Sequence, residues 1–303
     1  MSNYSKRKNI NKALLILKFL LVLSLTISIL ILIKHTQTKS THFHNVENAD
    51  ISNENTDNNS NNTVVNIKPS IVDSLTEEQI IASQKRGLPV LMYHFFYDET
   101  AGETGADNNF MEIHDFEEQI KYLAENDYYV PTWEEICDYI AGTKGLPEKS
   151  IVITVDDGDP SFFRLAVPVL EKYNFTATSF LITSWYGSSA DKNAASVIDY
   201  QSHSHNMHRA GSDGKGAFLT LSYENACADL EESRLIIGDD CRVFCYPFGH
   251  YNDNSKKTLK DCNYILAFTT KGGRVFPGMD PYQLPRVRMS KGVSIKSFMN
   301  MVK

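Results

Sequence analysis

A run of β-branched residues, Ile151-Val152-Ile153-Thr154-Val155, leads directly into Asp156-Asp157-Gly158. β-Branched side chains favour strands, and a strand that is apolar on both faces is typical of a parallel sheet covered on both sides. The run therefore predicts a buried parallel strand whose carboxyl end carries two adjacent acids.

On both sides of this strand, predicted strands alternate with predicted helices. Upstream, the patterns predict an apolar strand at 89–93 that is followed by His94, a helix that begins at Asp115 and a short helix at 133–140. Downstream, the patterns predict helices at 162–173, 221–237 and 255–262 and strands at 177–182, 197–200, 242–246 and 264–268. Such alternation predicts parallel βα units in an open sheet or a barrel, and barrels carry their sites where the strands end.

The N-terminal segment has the composition of a membrane anchor. Residues 1–12 contain four basic residues and no acid, and residues 13–33 are interrupted by a single charge, Lys18. About 20 apolar residues cross a bilayer, and flanking positive charge stays inside. No small-x-small cleavage site follows Ile33, so we predict a cytoplasmic segment at 1–12 and an uncleaved transmembrane signal anchor at 13–33 rather than a cleaved signal peptide.

The next segment, 34–86, is rich in Asn, Ser, Thr and Asp. A segment with almost no aromatic residues cannot bury enough apolar surface to fold, so it predicts a flexible tether. A catalytic domain is therefore expected over 87–303, outside the cell membrane that the single-pass anchor spans.

The overall composition excludes some classes of protein. The 303 residues include 37 acidic and 30 basic side chains, for a net charge of −7, which argues against nucleic acid as a partner. Apolar residues at 42% exclude wholesale disorder. Five cysteines are too few for a disulfide scaffold; a disulfide is permitted but not required.

Two polar stretches follow predicted strands. Asp156-Asp157 most often forms a turn and a helix cap, but two acids at a strand end can also divide into a metal ligand and a proton acceptor. Residues 202–208 contain three of the nine histidines of the chain. Such a cluster is either a solvated loop or a set of metal ligands. One Asp and two His on one cation leave positions open for water and substrate, which suits a catalytic divalent metal.

A third stretch is aromatic. Residues 244–251, Phe-Cys-Tyr-Pro-Phe-Gly-His-Tyr, most often mean a Pro-Gly turn with aromatic packing. In a site, this turn presents a backbone N–H and an aromatic wall. Among the other aromatic residues, Trp185 and Tyr251 are the best candidates for stacking on sugar rings, although most aromatic side chains belong to the core.

These three stretches together resemble the motifs of the polysaccharide deacetylases with the NodB-type domain, carbohydrate esterase family 4. Thr154 to Gly158 is similar to the family's first motif, the histidine cluster to the second, and Tyr246-Pro247-Phe248-Gly249 to the third. The resemblance covers roughly 88 to 290. It implies a distorted (β/α) barrel of the polysaccharide deacetylase type and hydrolysis of an N-acetyl amide.

The resemblance also implies roles. Asp157, His203 and His208 would hold a divalent metal, zinc by default, with cobalt, nickel or iron also accepted. Asp156 would be the general base, and the backbone N–H of Phe248 would help the metal stabilise the oxyanion. Further substrate-binding residues would be Tyr246, Pro247, Tyr251 and Trp185.

Three departures from the usual motifs are visible. The histidines His203 and His208 are five positions apart instead of four, which resembles the poly-N-acetylglucosamine deacetylase branch; His205 becomes a bystander or an additional ligand. No Leu-x-His follows near the C-terminus, and in that branch an early Tyr-His supplies the general acid, here His94. The alternative for His94 is a packed histidine at a strand end.

The third departure is a missing arginine. Cys245 stands where the third motif has its arginine, and Arg286 or Arg288 would orient the base instead.

The sequence thus predicts a membrane-anchored, metal-dependent N-deacetylase of an extracellular poly-N-acetylglucosamine-type polysaccharide, with a monomeric catalytic domain. Two alternatives remain open. One is peptidoglycan as the substrate, since an anchor and a tether suit reach into a cell wall equally well. The other alternative is a catalytically inactive glycan-binding domain.

Overall fold

The β-branched run forms one strand of a closed parallel barrel in the computed structural model, which describes residues 71–186 and 195–303. The strands of the described residues are β1 Val90–Tyr93, β2 Phe95–Tyr97, β3 Phe110–Glu112, β4 Val152–Asp157, β5 Ala177–Leu181, β6 Ile198–Ser202, β7 Val243–Cys245, β8 Leu266–Gly272 and β9 Leu284–Arg288. The barrel order is β1-β4-β5-β6-β7-β8-β9, and β9 pairs with β1 to close it. All of these pairs are parallel, so the predicted barrel is confirmed.

Helices connect the strands and cover the barrel. They are α1 Glu77–Arg86, α2 Ile113–Glu125, α3 Trp133–Ile140, α4 Val167–Tyr173, α5 Thr183–Tyr186, α6 Tyr223–Ile237, α7 Asp253–Asp261 and α8 Ile295–Val302. Side-chain caps fix several starts, because Thr132 and Asn252 form capping boxes that satisfy the first backbone N–H groups of α3 and α7. Helix α3 has the predicted bounds.

Six elements were not predicted. Helices α1, α5 and α8 and strand β9 lie in segments without a predicted element, and so do β2 and β3, which pair with each other outside the barrel. Strand β9 carries a proline at its second residue, which weakens any strand prediction from the sequence.

The folded part begins before the predicted boundary at residue 87. The C-terminal end of the predicted tether 34–86 forms helix α1, which starts at a Thr76 capping box. The helix is fixed to the domain, because Ser83 O accepts a hydrogen bond from Tyr139 Oη (3.0 Å) and Arg86 donates to Pro147 O (3.0 Å). Local capping and these contacts outweigh the polar composition that predicted a tether.

The segments 1–12 and 13–33 and the tether up to residue 70 lie outside the described residues. Within 71–186 and 195–303, no helix combines the length and the apolar character that a membrane crossing requires.

Packing leaves the polar residues at one end of the barrel. Strands β4 and β5 are buried along their whole length, which confirms the burial that the β-branched run predicted for β4. Apolar side chains fill the space between strands and helices, whereas Asp156, Asp157, His203 and Arg286 are buried charged or titratable groups in or directly after barrel strands. The fold therefore concentrates its chemistry at one rim.

Candidate active site

Parallel pairing brings the carboxyl ends of the strands to one rim of the barrel. Strand β4 ends at Asp157, β6 ends one residue before His203, and β7 ends at Cys245. His94 follows β1 directly, and Arg286 lies within β9. Residues separated by almost 200 positions therefore share one site.

Asp157, His203 and His208, here called the histidine triad, converge on one point. Their ligand atoms lie within 4.8 Å of one another. The Nε2 atoms of His203 and His208 lie 3.3 and 3.4 Å from Asp157 Oδ1. Asp157 Oδ1 is buried and accepts no hydrogen bond from the described residues, so a polar atom that normally has a partner points between two imidazole rings.

The orientation of His203 suits metal binding. Its Nδ1 lies 2.7 Å from Cys245 O, so the Nδ1–H donates to that carbonyl and Nε2 faces Asp157. Burial lowers the pKa of His203, but Cys245 and the Asp157 carboxylate outweigh burial and raise this pKa well above its ordinary value. The triad therefore favours positive charge at its centre, and a carboxylate with two imidazoles is a donor set that fits a divalent cation.

Asp229 of helix α6 anchors the loop between His203 and His208. Both carboxylate oxygens of Asp229 accept backbone N–H groups, from His205 (2.7 Å) and Asn206 (2.9 Å). His205 itself lies outside the triad, with Nδ1 3.1 Å from Thr183 Oγ1. Asp229 is a site residue that sequence reasoning missed, because its partners are backbone groups and no side-chain pattern marks them.

Unusual backbone conformations accompany the site. Asp157, Ser204 and Phe248 have φ values of 74°, 77° and 59°, which lie in a backbone region that residues other than glycine rarely adopt. Gly158 also has a positive φ, and a Cβ there would lie 2.4 Å from Leu181 Cδ2. The turn after the acid pair thus requires glycine, and Asp157 of the histidine triad is itself held in this strained region.

The second acid is held in a buried clamp, defined here as Asp156, Arg286 and Cys245. Arg286 is fully buried and donates two hydrogen bonds of 2.7 Å, one to each carboxylate oxygen of Asp156. It also donates to Cys245 Sγ (3.0 Å) and to Thr154 Oγ1 (2.9 Å). Burial raises the pKa of Asp156, but the charge and hydrogen bonds of Arg286 outweigh burial, and the pKa falls well below its ordinary value.

Arg286 and Arg288 have different positions. Arg286 points into the barrel from β9 and supplies the guanidinium that Cys245 cannot. Arg288 is exposed at the end of the same strand and donates to the Asn109 side chain, outside the site. Of the two predicted orienting arginines, only Arg286 contacts the acid pair.

His94 lies beside the clamp. Its Nε2 is 3.7 Å from Asp156 Oδ2, so the strand-end histidine faces the acid pair. Burial lowers the pKa of His94, and the Asp156 carboxylate opposes this shift only in part. A protonated His94 would therefore release its proton readily.

Two aromatic rings form an exposed wall at the triad. The Phe248 ring lies 4.3 Å from the His208 ring and is 45% exposed, and the Trp185 ring lies 5.6 Å from His208 and is 54% exposed. Rings with this exposure are available to a ligand that approaches the triad.

The other predicted lining residues lie elsewhere. Tyr246 and Pro247 are buried, and Tyr246 Oη donates to Tyr282 O (3.0 Å), so their side chains belong to the core and do not line the site as predicted. Side chains alternate along β7, so Cys245 points toward Asp156 while Phe244 and Tyr246 pack outward. Tyr251 stacks on Tyr246 and accepts a hydrogen bond from Lys271 Nζ (2.7 Å).

Comparison with known proteins agrees with this geometry. Residues 143–267 match the family model described as polysaccharide deacetylase. The poly-β-1,6-N-acetyl-D-glucosamine N-deacetylase of Staphylococcus epidermidis is 31% identical, over 58% of this chain and 66% of that protein. This chain thus spans slightly less than two thirds of the relative's length.

Solved structures show the same architecture. IcaB from Ammonifex degensii is 25% identical with a TM-score of 0.58, over 71% of this chain and 95% of IcaB. The deacetylase PplD of Streptococcus pyogenes, at 22% identity, shares the fold with a TM-score of 0.60, over 72% of this chain and 98% of PplD.

The folded domain is similar to the polysaccharide deacetylases both in sequence and in architecture. The predicted enzyme class, a hydrolase acting on carbon–nitrogen bonds other than peptide bonds, agrees with this similarity. The resemblance identified from the three motifs is confirmed.

Proposed function

We propose that this domain hydrolyses the N-acetyl groups of a poly-β-1,6-N-acetyl-D-glucosamine-type exopolysaccharide and releases acetate. The observation that carries the proposal is the histidine triad around the unpartnered Asp157 Oδ1, placed beside an arginine-held second carboxylate. The substrate class is supported by the name of the Staphylococcus epidermidis relative and by the five-residue spacing of His203 and His208.

Asp157, His203 and His208 would hold the divalent metal. When bound there, the metal lowers the pKa of a water molecule and polarises the acetamide carbonyl. Zinc is the proposed ion because it accepts two imidazoles and a carboxylate, and cobalt, nickel and iron accept the same donors. The Nδ1–H bond from His203 to Cys245 O leaves Nε2 free on the side of Asp157, where it would bind the ion.

Asp156 of the clamp and His94 would transfer the protons of the reaction. Asp156 stays ionised because Arg286 lowers its pKa, so it can accept the proton of the attacking water as the new bond forms. His94 is the proposed acid for the departing amine, and its lowered pKa favours release of that proton. The backbone N–H of Phe248 is the proposed protein donor to the developing oxyanion.

The exposed rings of Phe248 and Trp185 would stack against the sugar. For the remainder of the chain, we propose a single-pass anchor at 13–33, basic residues 1–12 inside the cell, and a monomeric catalytic domain outside the membrane. The apolar run with basic residues on its N-terminal side supports this placement.

Acetate release from the full-length chain tests the proposal. The protein is stripped of metal with a chelator, resupplied with zinc or cobalt, and assayed on oligomers of β-1,6-linked N-acetylglucosamine and on peptidoglycan. We expect release only with added metal, and loss of both release and metal binding in His203→Ala and His208→Ala. His205→Ala is the matched control and should retain both, because His205 lies outside the triad.

The outcomes separate the alternatives. Tight metal binding without acetate release from any N-acetylated polymer would leave a glycan-binding domain. Preferential release from peptidoglycan would keep the chemistry and change the substrate.

A further inference from the structure

Two cysteines that the deacetylation site does not use lie against each other on the outside of the barrel. Cys227 is in helix α6, and Cys262 follows the last residue of helix α7. The Cys262 thiol donates to Cys227 Sγ at a distance of 2.8 Å, closer than unbonded sulfur atoms ordinarily approach. Both side chains are partly exposed, so an oxidant can reach them.

Their surroundings hold the two thiols together. Arg234 of helix α6 donates to the carbonyl of Cys262 (2.6 Å), and its guanidinium lies 4.8 Å from the centre of the Tyr264 ring. Leu230 of helix α6 and Leu259 of helix α7 are fully buried in the same apolar cluster. The proximity of the thiols is therefore fixed by the packing of two helices, not by a mobile segment.

The other three cysteines are differently placed. Cys241 and Cys245 are buried, and Cys137 lies on helix α3 in a different apolar cluster. Cys245 is also engaged by Arg286 in the clamp. Of the five cysteines in the chain, all of which lie in the described residues, Cys227 and Cys262 are the two in mutual contact.

We propose that Cys227 and Cys262 are a site of disulfide formation. The reaction removes two electrons and two protons from the pair, and the oxidant is a disulfide of a small thiol or of an oxidoreductase. The Cys227 thiolate attacks one sulfur of that disulfide and expels the first thiolate. The Cys262 thiolate then attacks Cys227 Sγ and expels the second, so the oxidant leaves as two thiols that carry both electrons and protons.

The order of attack follows from the environment of Cys262. Burial, together with the neighbouring Cys227, raises the pKa of Cys262 to about 12. Cys262 is therefore protonated as the hydrogen-bond donor of the pair, and Cys227 is the first nucleophile. Cys262 gives its proton to the first expelled thiolate once Cys227 Sγ is bonded to the oxidant, and it then attacks as the thiolate.

The bridge would act on the part of the chain that carries the aromatic wall. The two cysteines are 35 positions apart, and the segment between them contains β7 and the turn with Phe248. Closing this segment restricts the unfolded chain, so the bridge should raise the melting temperature by about 5–15 °C without changing the rate of deacetylation at moderate temperature.

Thiol counting on the full-length protein is the primary test. The protein is equilibrated with oxidised glutathione, denatured, and titrated with a thiol reagent before and after reduction. We expect three thiols in the oxidised protein and five after reduction, and peptide mapping should join Cys227 to Cys262. Five thiols in the oxidised sample, or a bridge to any other cysteine, would overturn the proposal.

Variants provide the second measurement. In Cys227→Ser and in Cys262→Ser, the difference in melting temperature between oxidised and reduced protein should vanish. Cys137→Ser is the matched control and should retain it. A difference that persists in both Cys227→Ser and Cys262→Ser would assign the effect elsewhere, and the thiol count decides the proposal even if a variant does not fold.

Discussion

Asp156 and Asp157 are neighbours on one strand, yet they belong to two regions with opposite electrostatic designs. In the clamp, both oxygens of Asp156 accept hydrogen bonds from Arg286, and the charges of the two groups balance inside the barrel. In the histidine triad, Asp157 Oδ1 has no hydrogen-bond partner among the described residues and faces two imidazole nitrogens. The clamp is satisfied by the protein itself, whereas the triad is a donor set that fits a cation.

The difference explains how adjacent carboxylates can take different roles. The positive φ of Asp157 turns the chain at the end of β4, so the last two residues of the strand meet different neighbours. Asp156 is bonded by Arg286 of β9 and lies beside Cys245 of β7 and His94, whereas Asp157 faces both histidines of the loop that follows β6. Substitutions that affect one region without the other test this division.

The largest effect is expected for the two acids themselves. Asp156→Asn should reduce acetate release by about 10²- to 10⁴-fold, because the amide cannot accept the proton of the attacking water. Its zinc affinity should stay within a few-fold of the wild type, since Asp156 is not in the triad. Asp157→Asn should lose zinc binding, measured by competition with a chromophoric chelator.

The comparison of these two variants is decisive. If Asp156→Asn lost zinc as completely as Asp157→Asn, the two regions would form one metal site. The division between clamp and triad would then be wrong.

Breaking the clamp should cost stability as well as activity. Arg286→Met leaves a buried carboxylate without its partner, which lowers the free energy of unfolding by about 3–5 kcal/mol. Urea unfolding at neutral pH measures the loss. Arg288→Met is the matched control on the same strand, and as an exposed residue it should change stability by about 0.5 kcal/mol or less.

A double variant separates the charge from the packing. Arg286→Met with Asp156→Asn removes both buried charges, so it should be more stable than Arg286→Met alone. Equal or lower stability of the double variant would show that the clamp stabilises the barrel by packing rather than by charge balance.

Sequence patterns predicted the triad better than they predicted the clamp. Asp157, His203 and His208 stand beside strand ends or in a dense cluster of histidines, and parallel topology alone brings such ends together. Arg286 bonds a carboxylate 130 positions away, from a strand interrupted by proline. Because a buried arginine is recognised only through its partner, the sequence left Arg286 and Arg288 as equal candidates.

The same limit applies to side-chain direction. The aromatic turn was predicted as a lining wall, but only its Phe248 is exposed beside the triad. Tyr246 points to the core, since Cys245 occupies the inward position of β7 and side chains alternate along a strand. The sequence identifies which turn reaches the rim, and the register of the strand determines which of its residues face the ligand.

A smaller effect is expected from the residue that supports the triad through the backbone. Asp229→Asn replaces one of the two acceptors of the His205 and Asn206 N–H groups with an amide donor, which should loosen the loop between His203 and His208. We expect zinc affinity to fall by about tenfold, as for other residues that orient metal ligands. Glu232→Gln, on the exposed face of the same helix, is the control and should leave zinc affinity unchanged.

The cobalt-substituted protein gives an independent measurement for Asp229. A change in its visible absorption in Asp229→Asn would show altered ligand geometry rather than general destabilisation. Unchanged zinc affinity and an unchanged cobalt spectrum would mean that the loop keeps its shape without Asp229.

The smallest effect is expected at the aromatic wall. Phe248→Ala and Trp185→Ala each remove an exposed ring beside His208 without touching the clamp. If these rings stack on sugar, each substitution should weaken binding by about 1 kcal/mol, which is roughly a fivefold rise in KM. The turnover number should change much less, because the rings bind the substrate and its transition state about equally.

Chain length of the substrate sharpens this last comparison. A ring that stacks on a sugar next to the reacting unit should matter for oligomers and not for the single N-acetylated sugar. Leu235→Ala, an exposed apolar side chain on helix α6, provides the control for a general surface effect. An equal loss of affinity for the monomer and the oligomers in Trp185→Ala would place the Trp185 ring against the reacting sugar itself. No loss for either substrate would remove Trp185 from the binding surface and leave Phe248 as the ring that contacts the substrate beside His208.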